Sequence, residues 1–392
     1  MRPTLVLAGV SVATAIASSA SAGFTAGNLL VQRMGDGTTT LGSAGTQISL
    51  LEFARSGGAA IQTVNFATSG ANQQTDSGSA ISNGYFNVYN NYVSVGGYNA
   101  PSGTASVSLQ NTKVVTVLGQ DGATTSRTLF PTGGPTGTPP SPFSGSNFRS
   151  SIATGANTFY AVGTSLGTPN TGGAWYFNGA NFTQISSTAT GQPTNLRNVE
   201  IYGGQLYATS ASSAGVGIWA IGAGLSTTAG QTSSLAINMG STANPLGFVM
   251  FDTNSDNVLD LAYISDDRSS VGGGIQKWTL NGGAWTQSWA YLVSSDASLS
   301  ASAATGFAGL RGLTGTWDAV NGAQLFATTT EASNNRIISI VDAASGVSAS
   351  NLASAGANYA FRGIDLNGSA VPAPSALALL GMAGLVGSRR RR

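Results

Sequence analysis

The sequence predicts an all-β fold: a β-propeller of six blades, with seven the next count, flanked by an N-terminal signal helix and a short C-terminal hydrophobic helix. Three observations carry this reading. A strand-like segment with an aromatic near its centre recurs five times. The chain is 41% hydrophobic, and its apolar residues fall in short runs, whereas a disordered chain needs few of them. Its 54 glycines, with abundant Ser, Thr and Asn, punctuate those runs as turns do.

At the N-terminus, Arg2 precedes an apolar stretch from Leu5 to Ile16, followed by small residues ending in Ala20-Ser21-Ala22. This is a signal peptide over residues 1–22. Ala20 and Ala22 form the A-x-A site for signal peptidase, and the mature chain begins at Gly23. A packed helix would show polar residues at a 3.6-residue period, and none occur between Leu5 and Val10.

The body, 23–370, carries the repeat. Its markers are Asn91–Val95, Thr158–Val162, Gln205–Thr209, Leu261–Ser265 and Gln324–Thr328, centred on Tyr92, Tyr160, Tyr207, Tyr263 and Phe326 in steps of 47 to 68 residues. Such a period signals repeated supersecondary units. Before each marker lies an apolar strand; after it come a polar loop and two further strands. Residues 196–202, 204–210, 215–221 and 233–238 form one such set, and others fall near 80–118, 148–186, 246–293 and 308–352. Loop insertions account for the uneven steps, because closure entropy grows slowly with length. A parallel β-helix would need shorter, more regular coils, so four-stranded units in series favour a propeller.

The chain ends supply a sixth unit. Phe361-Arg362-Gly363, within 359–366, echoes Leu310-Arg311-Gly312, and 29–33, 47–53 and 61–67 provide three more strands. Pairing the two ends removes the open edges that would otherwise aggregate. Asn-Gly within 177–184 and within 280–287 predicts type I′ hairpins. Pro131 to Pro142 reads as a loop between units, or as the boundary of a separate N-terminal module.

Composition then excludes chemistry. The chain has no His and no Cys, so it has no Ser-His-Asp triad, no thiol nucleophile and no zinc site of the usual kind. Five of the 16 basic residues lie outside the body (Arg2 and Arg389–Arg392), leaving 11 against 15 acids there, a net of −4. A mildly acidic body predicts no nucleic-acid partner.

One acidic constellation stands out, Asp252-Thr-Asn-Ser-Asp-Asn-Val-Leu-Asp260. Side chains of Asp252, Asn254, Asp256 and Asp260, with the Val258 carbonyl, have the spacing of a structural calcium loop. The stretch is similar to the aspartate loops of FG-GAP-type propeller repeats, with Asn257 where Gly is usual and Tyr263 where the last Glu would stand. The other reading is a turn in which Asp and Asn cap their own backbone. Asp266-Asp267 would supply paired carboxylates for glycoside hydrolysis, but neighbours on a strand point to opposite faces. The aromatics at 175–177 and Trp278, Trp285, Trp289 and Tyr291 either stack sugars on a rim or fill the space between blades.

The last 22 residues order a Pro-bracketed turn, an uncharged apolar run and four arginines: Val371-Pro372-Ala373-Pro374, then 375–388, then Arg389, Arg390, Arg391 and Arg392. This tail, 371–392, resembles the PEP-CTERM sorting signal, with Ala373 where the family has Glu. The resemblance implies an exosortase-type processing enzyme as partner and transient membrane insertion, the arginines held on the cytoplasmic side. A plain membrane anchor is the alternative, although fourteen helical residues span only about 21 Å against a core of about 30 Å.

Together these readings describe an exported cell-envelope or extracellular-matrix protein. It is expected to be non-enzymatic, binding extracellular polysaccharide through blade loops, with no cofactor beyond the calcium. The alternative is an exported propeller-fold hydrolase acting on carbohydrate through Asp carboxylates. The two differ in one requirement: an enzyme needs two acids converging in one central pocket.

Overall fold

The computed structural model describes residues 23–268, 272–291, 309–344 and 346–368. The signal segment apart from Gly23, the sorting residues 371–392 and both expected terminal helices lie outside the described residues. Among the described residues the fold is all-β, with one turn of 3-10 helix at Val107–Leu109 and no helix long and apolar enough to cross a membrane.

The strands group as sequential antiparallel sets. β1 (Leu29–Met34), β2 (Gly45–Phe53) and β3 (Gln62–Asn65) come first, then the short β4 (Thr75–Ser77). Next are β5 (Asn87–Tyr89), β6 (Tyr92–Tyr98), β7 (Lys113–Leu118) and β8 (Thr124–Leu129), followed by β9 (Phe148–Gly155), β10 (Thr158–Gly163), β11 (Gly173–Phe177) and β12 (Phe182–Gln184). Three more sets follow. These are β13 (Leu196–Tyr202), β14 (Gln205–Ser212), β15 (Gly215–Ala220) and β16 (Ser234–Asn238); β17 (Pro245–Phe251), β18 (Leu261–Asp266), β19 (Gly274–Asn281) and β20 (Ala284–Tyr291); and β21 (Leu310–Asp318), β22 (Gly322–Thr329), β23 (Arg336–Ala343) and β24 (Gly346–Ser354). β25 (Ala360–Leu366) ends the described chain.

Four of these sets are separate four-stranded sheets. The first eight strands and β25 form one nine-stranded sheet, in which β4 links the β25-β1-β2-β3 group to the β5–β8 group. β25 pairs antiparallel with β1, Leu366 opposite Leu29 and Ala360 opposite Met34, so the two ends are joined as the sequence requires. The strands that open each set, β5, β9, β13, β17, β21 and β25, touch one another in that order, and β25 touches β5 again.

The fourth strand of each set is the most exposed. In the last, β21 and β23 are buried along most of their length and β24 (GVSASNLAS) is largely exposed. An opening strand packs against the opening strands on either side and is mostly buried even where its residues are polar. A fourth strand is an edge, where hydroxyl-rich sequence limits pairing with other chains. This also explains the one poorly placed set: near 80–118 the fourth strand is β8, at 124–129, whose TTSRTL carries almost no apolar signal.

Between sheets the space is filled by aromatic and aliphatic side chains. Phe130, Phe143, Phe148, Phe159 and Trp175 form one cluster between β6/β7 and the β9–β12 sheet, with the Phe143 and Phe148 rings stacked 5.6 Å apart. The aromatics that sequence left open between rim and core go mainly to this packing. Trp175, Phe177 and Trp278 are buried, and Trp285, Trp289 and Tyr291 are partly buried against the same clusters.

A repeated polar stitch crosses these interfaces. Thr209 Oγ1 accepts the Asn198 N–H (3.1 Å) and donates to the Leu246 carbonyl of the next sheet (2.7 Å). Ser265 does the same from the Gly247 N–H to the Arg311 carbonyl, and Thr328 from the Gly312 N–H to the Arg362 carbonyl. Each hydroxyl lies two residues after a repeat-marker aromatic. Ser94, two after Tyr92, likewise donates to the Ser151 carbonyl at 2.7 Å. Close approach demands glycine here, since a Cβ on Gly312 would lie 2.4 Å from the Arg362 carbonyl oxygen.

The hairpin turns depart from expectation. β19 and β20 are closed by Gly282 and Gly283, both at positive φ, one residue later than Asn281-Gly282 predicts. Phe177 and Phe182 instead bracket a four-residue loop in which Asn178 Oδ1 accepts the N–H groups of Ala180 and Asn181. The Asn side chain caps a wider turn, so the tight one does not form.

Candidate functional site

The six opening strands bring together polar residues that no strand set holds alone. Glu200 lies mid-strand in β13, between Val199 and Ile201, and Asp365 lies in β25, between Ile364 and Leu366. β13 and β25 are three steps apart either way around the succession of opening strands, which places the two acids across its centre. Both keep part of their surface open to water.

Asp365 is held from both flanks. The Val88 N–H of β5 donates to Oδ2 at 2.7 Å, the Thr314 hydroxyl of β21 donates to Oδ1 at 2.9 Å, and the Leu366 N–H donates to Oδ1 at 2.8 Å. Glu200 ends a hydrogen-bonded chain through three strands. Asn87 Nδ2 of β5 donates to Ser150 Oγ of β9, Ser150 donates to Asn198 Oδ1 of β13, and Asn198 Nδ2 donates to Glu200 Oε1 at 3.1 Å.

This setting separates the protonation of the two acids. Burial, with the Asp365 charge adding to it, pushes the Glu200 carboxyl well above the usual carboxylate range. Burial also raises Asp365, but its three donors offset part of that and leave it at about 6. A carboxyl held well above the usual carboxylate range and coupled to one near 6 is the kind of pair that acid/base chemistry uses. Tyr202, raised by burial and by both acids, completes the group, its hydroxyl 3.3 Å from the Phe248 carbonyl.

The residues singled out from sequence lie elsewhere. The 252–260 loop joins β17 to β18 at the surface. Asp252 accepts four backbone N–H groups, from Asn254, Ser255, Asp256 and Asn257. Asp256 accepts from Val258, and Asp260 accepts the N–H and hydroxyl of Thr253. The oxygens assigned to calcium accept hydrogen bonds from the loop's own backbone, with Ser255 and Asn257 at positive φ, as a self-capped turn requires. Among the described residues no group of three or more Asp or Glu is placed to hold a metal. Asp266 and Asp267 diverge: the first takes Arg268 and Gln276, the second Asn244.

Two open clefts of about 310 and 490 Å3 lie on the flanks of the sheets, one beside Tyr202, Tyr207 and Trp285, the other beside Trp175 and Phe182. Neither is lined by Glu200 or Asp365.

No protein-family model and no curated protein sequence matches this chain. It is similar in shape to solved structures. One is a candidate 6-phosphogluconolactonase from Bacteroides uniformis, at 12% identity and TM-score 0.43, with 84% of this chain and 82% of that one covered. Another is a Lactobacillus plantarum protein at 10% identity, with the same TM-score and coverage. A third is the Bacteroides ovatus xyloglucan PUL GH43B, at 12% identity and TM-score 0.38, covering 74% of this chain and 57% of that one.

The expectation of a non-enzymatic body is corrected here. Two of these neighbours carry enzyme names, and two acids of the opening strands, Glu200 and Asp365, are coupled, the Asp365 charge raising the Glu200 carboxyl. The sequence offered a signal for both. Each is a lone acid flanked by apolar residues inside an opening strand, Val-Glu-Ile and Ile-Asp-Leu, where a merely solvated carboxylate has no reason to be.

Proposed function

We propose that residues 23–370 form a six-bladed β-propeller whose central channel hydrolyses a carbohydrate, with Glu200 as general acid and Asp365 as general base. Six opening strands in a closed succession and the pairing of β25 with β1 support the count. The observation that supports the activity is the placing of two coupled, partly buried acids on opening strands three steps apart, Asp365 held by Val88 and Thr314 and Glu200 by Asn198. Protonated Glu200 would give its proton to the departing glycosidic oxygen. Ionised Asp365, fixed by Val88 and Thr314, would take the proton of an attacking water.

We further propose that the chain is exported through residues 1–22 and handled through 371–392 by an exosortase-type enzyme, which places the activity at the cell envelope or in the matrix. Mass spectrometry of both termini from the native cell tests this part. A uniform intact Arg392 would remove the sorting step, and a retained Met1 would remove export.

Reducing-end release from a panel of polysaccharides by the full-length chain tests the activity. Glu200→Gln and Asp365→Asn should each lower kcat by about 10²–10⁴-fold while retaining the wild-type circular dichroism spectrum. Turnover unchanged in both variants would refute the assignment.

A further inference from the structure

A second cluster occupies the beginning of the same opening strands, about three residues, or roughly 10 Å, before the acids. Arg149 of β9, Arg197 of β13, Arg311 of β21 and Arg362 of β25 all stand at the first turns of their strands. The stitches fix the register of two: the Arg311 and Arg362 carbonyls each accept a bridging hydroxyl. Tyr85 lies among them. Its N–H donates to the Arg149 carbonyl at 3.1 Å, and the Gly363 N–H donates to the carbonyl of Gly84 next to it.

Each of these cations keeps at least one donor atom without an acceptor. Arg311 Nε and Nη1, the Nε atoms of Arg149, Arg197 and Arg362, and the Tyr85 hydroxyl are all buried with no hydrogen-bond partner. Arg311 is 6% exposed, Arg362 1% and Tyr85 2%. The remaining guanidinium atoms reach along the rim: Arg149 to Asn195 and Leu196, Arg197 to the Pro245 carbonyl, Arg362 to the Gly78 carbonyl. The acids nearby are few. Asp267 Oδ2 is 3.9 Å from Arg311 Nε, Asp266 is committed to Arg268, and Asp76, facing Arg362, is held up to about 7 by burial. Four guanidiniums thus outnumber the nearby carboxyls left to them, Asp267 and Asp76. Burial, with repulsion from a neighbouring arginine adding to it, lowers Arg149 to about 9 and Arg362 to about 10. Buried donors and excess charge of this kind call for an acceptor of opposite sign.

We propose that Arg149, Arg197, Arg311, Arg362 and Tyr85 form an oxyanion cradle at the mouth of the channel, and that the ligand it admits is an anionic glycan bearing a carboxylate or sulfate. This rests on the hydrolase reading for the word glycan, but the cradle stands on its own residues. A sugar's oxyanion held here would set its linkage about one ring deeper, at the level of Glu200 and Asp365.

Isothermal calorimetry on the full-length chain with D-glucuronate, D-glucose and inorganic sulfate separates the parts. Glucuronate and sulfate should bind, glucose should not, and affinity should fall as NaCl is raised. Arg311→Gln and Arg197→Gln should each weaken glucuronate at least about tenfold. Arg127→Gln, on β8 and outside the cluster, should leave it unchanged. Lysine variants at 311 and 197 keep the charge and guard against misfolding; partial binding by them supports the cradle. Equal binding of glucose and glucuronate, or no binding of either anion, overturns the proposal. Sulfate binding alone keeps the cradle and overturns the carboxylated sugar. Since binding is read without turnover, an inactive protein that binds glucuronate would defeat only the hydrolase assignment.

Discussion

The hydroxyl of Thr328 donates to the backbone carbonyl of Arg362 across the gap between two sheets, at 2.7 Å. It also accepts the Gly312 N–H, so one side chain satisfies two buried main-chain groups that belong to different strand sets. Thr328→Val keeps the shape and deletes both bonds. It should cost about 2 kcal/mol in urea unfolding, and Thr328→Ser should restore most of it. A cost below about 0.5 kcal/mol would mean the stitch is incidental.

Closure of the ends predicts a second outcome. Ending the chain before Tyr359 removes β25, leaving β1 without its partner on one edge and β21 without its contact to β25. The shortened body should lose its cooperative unfolding transition and aggregate, as judged by scanning calorimetry and size-exclusion chromatography.

Stability should pass through a minimum near pH 7. Asp76 and Asp365 titrate in the fold at about 7 and about 6, and Glu200 is raised as well. An unfolded Asp titrates near 3.9. Between those values the folded state holds more protons, so stability falls as the pH rises from about 4 to about 7. Lys113 runs the other way. Buried with its Nζ on the Gln110 carbonyl, it is lowered to about 7 from 10.5, so stability rises from about pH 7 to about pH 10. Urea midpoints across pH 4–10 check this; Asp76→Asn should flatten the acid side and Lys113→Met the alkaline side.

The 252–260 loop should hold without calcium. Asp252→Ala strips acceptors from four backbone N–H groups and should cost about 1–2 kcal/mol. Adding about 1 mM calcium should leave Tm unchanged; a rise would show that the loop rearranges around the ion.

Much of the architecture was legible because repetition made it so. The five aromatic markers fell on β6, β10, β14, β18 and β22, the second strand of each set. Their hydroxyls turned out to be the inter-sheet stitch, absent only after Tyr160, where Val162 stands. Phe361-Arg362-Gly363 echoed Leu310-Arg311-Gly312 because both strands need glycine where a neighbour's carbonyl approaches and arginine at the mouth. The channel acids escaped notice for a physical reason. Sequence crowding drew attention to Asp252–Asp267, where carboxylates are cheap because they are exposed or paired. Glu200 and Asp365 are instead single acids in strands far apart in the chain, related only once the opening strands follow one another in the fold. Arg149 and Arg197 were readable by extending the Phe/Leu-Arg pattern to Phe148-Arg149 and Leu196-Arg197.

The most direct test of the central pair is a carbon-13 NMR titration of Glu200 and Asp365. The chain has only three Glu, at 52, 200 and 331, so the Glu200 carboxyl is readily assigned through Glu200→Gln. The account predicts a Glu200 signal with its midpoint raised well above the usual carboxylate range and an Asp365 signal with a midpoint near 6. Both carboxyls fully ionised by pH 5 would contradict it.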